Sequence, residues 1–213
     1  MNRITFLVDG FNVYHSLKEA QRDLNGASTR WLDLHSLFSM YVSSSFGRNY
    51  KIEDIFYFSA YATHREQRRV GVIKRHKDYI ECLKSTGVKD VMGRFKPKRI
   101  HCHSCHTESI HHEEKETDVA ISIKLFELLH LDLCDTAVLV TGDTDLAPAV
   151  RTAQKIFTDK EIAFIFPYKR KNGELEGLVD TSIYIKKERY VKHQFAESMT
   201  MKSGTVINKP DKW

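Results

Sequence analysis

Residues 137–150 read AVLVTGDTDLAPAV. The apolar run at the start of this stretch has the continuous character of a strand covered on both faces. It halts at Gly142, Asp143 and Asp145. Pro148 is tolerated in a helix only in the first turn, so the helix that follows starts close to Asp145. A strand, an acidic turn and a helix in so short a span form the joint of a parallel sheet wrapped by helices. The chain opens in the same way: residues 4–15, ITFLVDGFNVYH, run apolar into Asp9, with Gly10 next and Asn12 one turn on. In open α/β sheets, ligands sit outside the carboxyl ends of the strands, where the strand order reverses. If the order reverses between these two strands, Asp9 and Asp143 share one rim.

Working outward, short β-rich runs alternate with longer helical patterns. The first strand is expected at residues 4–8, followed by a helix from near residue 12 that breaks in RDLNGAST. A second helix is expected at 31–44, a second strand at 54–62, and a long helix at 65–85 with Val72, Ile73, Tyr79, Ile80 and Leu83 on its apolar face. A third strand is placed at 88–95. The pattern is lost over 96–113 and returns as a helix marked by Val119, Ile123 and Phe126. After the strand at 137–140 come a helix using Leu146, Val150, Ala153 and Phe157, a fifth strand in IAFIFP and a short sixth in SIYI. One domain over 1–196 is expected, with residues 197–213 as a mobile tail lacking a packing pattern.

The 213 residues are 41% hydrophobic and 29% charged, ordinary for one globular α/β core. Lys plus Arg is 33 against 28 for Asp plus Glu, a net charge of +5. That mild excess is compatible with a polyanionic partner and decides little alone. No apolar stretch approaches the roughly 20 residues that span a bilayer, so no membrane partner is expected. Asp9 interrupts the apolar start, which argues against a signal peptide. Four cysteines, two of them in a CxxC, make no disulfide framework for a chain this long. A cytoplasmic protein is the expectation.

Asp118 falls in the first turn of the helix preceding the fourth strand, and Asp145 opens the helix after it, so four carboxylates converge on one rim. Crowded carboxylates raise one another's pKa, and a divalent cation relieves the repulsion. Hard oxygen ligands with room for water suit Mg²⁺ or Mn²⁺. Such an ion polarises a phosphoryl oxygen and acidifies water, the chemistry of phosphodiester hydrolysis. Asn12 and Thr141 can support the site without adding charge. The competing account of Asp118 and Asp145 is helix N-capping. Asp9, beside Gly10 at a strand end, needs a partner for its charge.

Three blocks, LVDGFNVY, EEKETDVAI and VLVTGDTDLAPAV, occur in this order. Together they resemble the signature blocks of the NYN family, nuclease-like domains of the PIN superfamily, in the branch that includes bacterial LabA-like proteins. The resemblance spans roughly residues 4–185. It implies a PIN-like three-layer α/β/α sandwich with a mostly parallel sheet ordered 3-2-1-4-5, and metal-dependent cleavage of RNA. By matching position it makes Asp9, Asp118 and Asp143 the acids that bind Mg²⁺ or Mn²⁺, with Asn12 and Asp145 supporting them. Glu114 also matches the family pattern, without a role that chemistry assigns. The expected function is therefore a metal-dependent ribonuclease, an endonuclease, with single-stranded or structured RNA as partner and homodimerisation open. The alternative is an RNA-binding or regulatory module that does not cut, which would gain nothing from clustered negative charge. A phosphatase with Asp9 as nucleophile would be supported by a DxD motif, where this chain reads DGFN.

The segment GRFKPKRIHCHSCHTESIHHEEK, residues 93–115, is dense in Lys, His and Cys. Cys102 and Cys105 supply half of a tetrahedral Zn²⁺ site, with His101, His103, His106, His111 and His112 in reach. A redox-active pair and two surface thiols fit the same spacing. This basic Cys/His-rich arm, over 96–113, returns to the chain at Asp118 and so passes near the acidic rim. Arg94, Lys96, Lys98 and Arg99 are placed to hold phosphates, and Phe95 to stack on a base. The cations of HREQRRVGVIKRHK read instead as a solvated helix surface.

Overall fold

The computed structural model describes residues 1–46, 49–66, 70–101 and 107–211. In chain order the strands are β1 (Asn2–Asp9), β2 (Tyr50–Ser59), β3 (Lys89–Met92), β4 (Arg94–His101), β5 (Glu108–Lys115), β6 (Thr136–Val140), β7 (Glu161–Phe166), β8 (Ser182–Tyr184), β9 (Ser198–Thr200) and β10 (Val206–Asn208). The α-helices are α1 (Gly10–Asp23), α2 (Leu34–Tyr41), α3 (Val72–Ser85), α4 (Thr117–His130), α5 (Ala147–Ile156), α6 (Gly173–Glu176) and α7 (Lys187–Lys192).

Side-chain alternation along the strands separates two apolar layers. Ile4, Phe6 and Val8 of β1, Ile55 and Tyr57 of β2, and Val138 and Val140 of β6 pack with α1, α2, α3 and α7. Leu7, Phe56, Phe58, Ala137 and Leu139 turn to the other face and pack with α4 and α5. Helices on both faces of a six-stranded parallel sheet give the expected three-layer α/β/α architecture. The order is β3-β2-β1-β6-β7-β8. It keeps the anticipated reversal between β1 and β6 and adds the short sixth strand at the edge.

Several boundaries differ from the sequence reading. The helix expected at 65–85 begins only at Val72, because Gly71 sits at φ +79° and the Glu66 carboxylate takes the N–H groups of Gly71 and Ile73. The helix expected at 31–44 is capped by Asp33 and continues past Tyr41 as a π-turn, Val42–Phe46. The strand expected at 88–95 is two strands. β3 joins the main sheet, whereas β4 leaves it at Gly93, whose N–H donates to Ser59 O and where a Cβ would lie 3.0 Å from Lys115 O. On α4, Val119 and Ile123 face outward and Ile121, Leu125 and Leu128 form the buried stripe.

Two segments read as patternless have structure. Residues of the basic arm form the antiparallel hairpin β4–β5, paired without a bulge from Arg94↔Lys115 to His101↔Glu108. Beyond residue 197, β9 and β10 form a second hairpin, and Ile207 is buried against the α1–α3 layer. The tail therefore contributes packing that its sparse apolar content did not suggest.

Helix α1 crosses the carboxyl rim of the sheet. Asn12 Oδ1 accepts from the N–H of Gly142 after β6, Ser16 Oγ donates to Tyr168 O after β7, and Asp23 accepts from Lys169 Nζ. Near the helix end, Lys187 Nζ, beyond β8, donates to Asp23 O.

Candidate metal centre

Asp9 ends β1 and is only 5% exposed, as the strand burial demands. An isolated buried carboxylate costs several kcal/mol in desolvation, and hydrogen bonds to a charged group each return about 1.5–3 kcal/mol. Both its oxygens are used: Oδ1 accepts from Asn12 N at 2.9 Å, and Oδ2 accepts from Thr141 Oγ1 at 2.9 Å. Burial still dominates and, with Asp143 nearby, pushes the Asp9 carboxyl above its ordinary range. Gly10 is required beside it, since a Cβ there would lie 2.5 Å from Phe58 O and 2.7 Å from the Tyr57 ring.

Asp143 follows β6 in the turn Thr141–Gly142. Its N–H donates to Thr141 Oγ1 at 3.1 Å, and its Oδ1 accepts from Asp145 N at 3.1 Å. The turn is pinned from outside: a Cβ on Gly142 would lie 2.0 Å from Arg170 O, so the loop after β7 closes directly on the backbone. Asp118 enters from the first turn of α4. The helix N-cap is Glu116, at φ +82° and without a side-chain cap bond, so capping does not account for Asp118. Burial, then Asp143, Asp9 and Asp145, push its carboxyl up to about 6.

One carboxylate oxygen each from Asp9, Asp118 and Asp143 lie within 4.8 Å of one another. Three hard, mutually repelling oxygen donors from three separate segments fit a divalent ion such as Mg²⁺ or Mn²⁺. Asp145 stands outside this trio; it is exposed, in the short 3₁₀ turn Thr144–Leu146. Asn12 lines the cleft and ties α1 to the acidic turn through Gly142.

The cleft is about 190 Å³ and also admits Phe11, His15, Glu114 and Arg170. Glu114, at the end of β5, is pushed up to about 7 by burial and by Asp9 and Asp118. Its Oε1 is buried without a hydrogen-bond partner among the described residues. Arg170 brings a cation to the acids, and Glu19 Oε1 accepts from its Nη2 at 2.7 Å. Arg170 and His15 escaped sequence reasoning. The arginine sits in the run YKRKNGE, whose register against the sheet is legible only once β7 is placed.

The β4–β5 hairpin presents two faces. Cross-strand pairing puts Phe95 beside Glu114 and Pro97 beside His112 on the cleft side, where Phe95 meets Phe11 edge-on at 5.5 Å and His64 stacks on His112 at 4.0 Å. Arg94, Lys96 and Lys98 alternate to the other face. Arg94 Nε donates to Glu116 at 2.7 Å, and Lys98 pairs with Glu113 at 2.6 Å. Lys96 is exposed, and Arg99 is exposed on the parity of Phe95. Cys102 and Cys105, with His103 and His106, lie outside the described residues.

The family model described as the NYN domain matches residues 3–186. A crystal structure of a protein of unknown function from Vibrio parahaemolyticus shares the fold, with a TM-score of 0.56 over 87% of this chain and 93% of that one, at 20% sequence identity. No curated protein matches the sequence. Among the described residues, no helix is long and apolar enough to cross a membrane.

Proposed function

This chain belongs to the NYN domain family, a nuclease-like family, and on that premise we propose that it is a metal-dependent ribonuclease hydrolysing RNA phosphodiester bonds endonucleolytically. The observation that carries the reading is the trio Asp9, Asp118 and Asp143, with oxygens within 4.8 Å at the switch point of the sheet.

These three residues would hold Mg²⁺ or Mn²⁺, which when bound polarises a phosphoryl oxygen and lowers the pKa of water. The chain itself does the positioning. Asn12 N–H and Thr141 Oγ1 fix both oxygens of Asp9, and the Asp145 N–H fixes Asp143. Arg170 supplies positive charge for a phosphate entering an otherwise acidic cleft. Glu114, whose Oε1 is buried without a hydrogen-bond partner among the described residues, is placed to exchange a proton in the cleft; burial and the charges of Asp9 and Asp118 push its carboxyl up, and an ion on those aspartates would draw it back down. Arg99, exposed on the cleft-side parity of the hairpin, is read as a contact to RNA phosphates beside the cleft, and Arg94, Lys96 and Lys98, on the opposite face, as contacts to phosphates farther along the strand.

The test is cleavage of labelled single-stranded RNA in Mn²⁺ by the wild-type protein and by Asp143→Asn. Since removal of an outer-shell partner alone typically costs about 10–100-fold, loss of this ligand should cost about 100-fold or more. Equal turnover by both proteins sinks the reading, and tight binding without turnover by the wild type establishes the non-cutting module instead. In the same system Lys96→Ala/Arg99→Ala should flatten the salt dependence of RNA affinity; an unaltered slope removes the hairpin from the interface.

A further inference from the structure

A second concavity opens on the same rim as the acidic cleft, beyond the ends of β7 and β8. It encloses about 290 Å³, and its walls carry Tyr168, Lys169, Lys171, Tyr184, Lys186 and Lys187 against one glutamate, Glu188. Lys171 Nζ lies 4.6 Å from the centre of the Tyr184 ring, and Tyr184 is 37% exposed. A pocket with aromatic walls and clustered ammonium groups suits a ligand that is flat and apolar in one part and anionic in another. A nucleotide unit of a single strand has that chemistry.

The fold connects this pocket to the acids. The loop after β7 contributes Arg170 to the cleft and Tyr168, Lys169 and Lys171 to the groove. Helix α1 runs beneath both, touching the cleft through Asn12 and His15 and the groove through Asp23, which accepts from Lys169 Nζ at 2.6 Å and Tyr168 Oη at 3.0 Å. The eleven steps from Asn12 to Asp23 span roughly 16 Å at about 1.5 Å per residue, a gap that a few nucleotides bridge. We propose that this lysine–tyrosine groove holds the RNA strand as it runs out of the acidic cleft. The proposal deepens the ribonuclease reading and rests on it.

The lysines have intramolecular partners: Lys169 pairs with Asp23, Lys171 with Glu176 at 3.0 Å, and Lys187 donates to Asp23 O. Lys169 and Lys171 are exposed, and exposed ion pairs contribute little to stability, so a phosphate can take over such a lysine at small cost. Lys186 is also exposed. The order along the rim is therefore carboxylates for the ion, Arg170 between, and lysines beyond, an arrangement that draws a polyanion past the acids.

The experiment measures polarisation of a fluorescein-labelled oligouridylate of about 12 nucleotides, on full-length protein carrying Asp143→Asn so that the strand stays intact. The salt dependence of affinity is compared for this parent and for parent plus Lys171→Ala/Lys186→Ala. Two lost phosphate contacts should lower the slope of log affinity against log salt by about 1.4. Lys171→Arg/Lys186→Arg should restore the slope, which separates lost charge from misfolding. Lys51→Ala/Lys155→Ala, toward the amino ends of the strands, should leave it unchanged. A parent-like slope in the groove variant overturns the groove while leaving metal-dependent cleavage by the wild type standing. An equal loss in the Lys51/Lys155 control reduces the effect to net charge and also overturns it. Displacement of the oligonucleotide by polyglutamate at equal concentration would assign the groove to acidic peptides instead. Failure of the parent to bind the oligonucleotide at all removes the groove proposal, and loss of wild-type RNA cleavage removes the ribonuclease reading with it.

Discussion

At the level of single residues, the cleft combines carboxyls that are more comfortable protonated than ionised. Asp118 is pushed up to about 6 and Glu114 to about 7, in each case by burial first and neighbouring acids second. Both bind a proton more tightly folded than unfolded. Their contribution to stability is therefore full below the ordinary carboxylate range near pH 4 and is lost as pH rises through about 6 and about 7. Metal-free protein should melt at progressively lower temperature across that window. Asp118→Asn should melt higher than wild type above it, by about 1 kcal/mol once solvent screening of a half-exposed group is discounted, or about 2–4 °C. A flat wild-type profile in chelator refutes this. The aspartates were legible in the sequence because a charge at the end of an apolar run is costly without a partner. Arg170 was not, because a cation among other cations carries no such contradiction.

At the level of elements, strands and helices are legible in the sequence where apolar periodicity is strong and not where polar residues mask it. β6, buried throughout and apolar after Thr136, was placed within a residue. The β4–β5 hairpin was missed because charged residues and histidines stand on both of its faces, and its apolar residues, Phe95, Pro97, Ile100 and Ile110, are too sparse to mark one face. The start of α3 was misplaced because Glu66, not a side chain beside the first turn, satisfies the leading N–H groups. The terminal hairpin was missed because one side chain, Ile207, carries most of its docking, beside partly buried Met199 and Met201. Ile207→Ala should therefore cost about 2 kcal/mol, at the low end for such truncations because the site lies at the edge of the core, and lower Tm by about 4–8 °C. A Tm unchanged within error would show that the hairpin rests on the domain without holding it.

At the level of the whole molecule, the acidic trio joins β1 and the turn after β6, in the sheet, to the start of α4, in one of the helical layers. An ion there binds only when all three are in place, so its binding energy adds to global stability. At a concentration about 100 times Kd, Mn²⁺ should stabilise the protein by about 2.7 kcal/mol, or about 5–10 °C, in a thermal-shift titration, and Asp9→Asn should abolish the response. An equal shift in that variant would place the ion elsewhere. Helix α1 meets the loops after three successive strands at fixed intervals along its length, and so acts as a ruler. Inserting one residue near its middle would rotate everything downstream by about 100° and advance it by about 1.5 Å. Glu19 and Asp23 would swing away from Arg170 and Lys169, and Leu17 and Ala20 would turn out of the apolar layer they share with β1 and β6. Length variation in this helix is therefore predicted to be excluded, because even a heptad that restores the phase would lengthen the ruler by about 10 Å and carry Asp23 past the loop after β7.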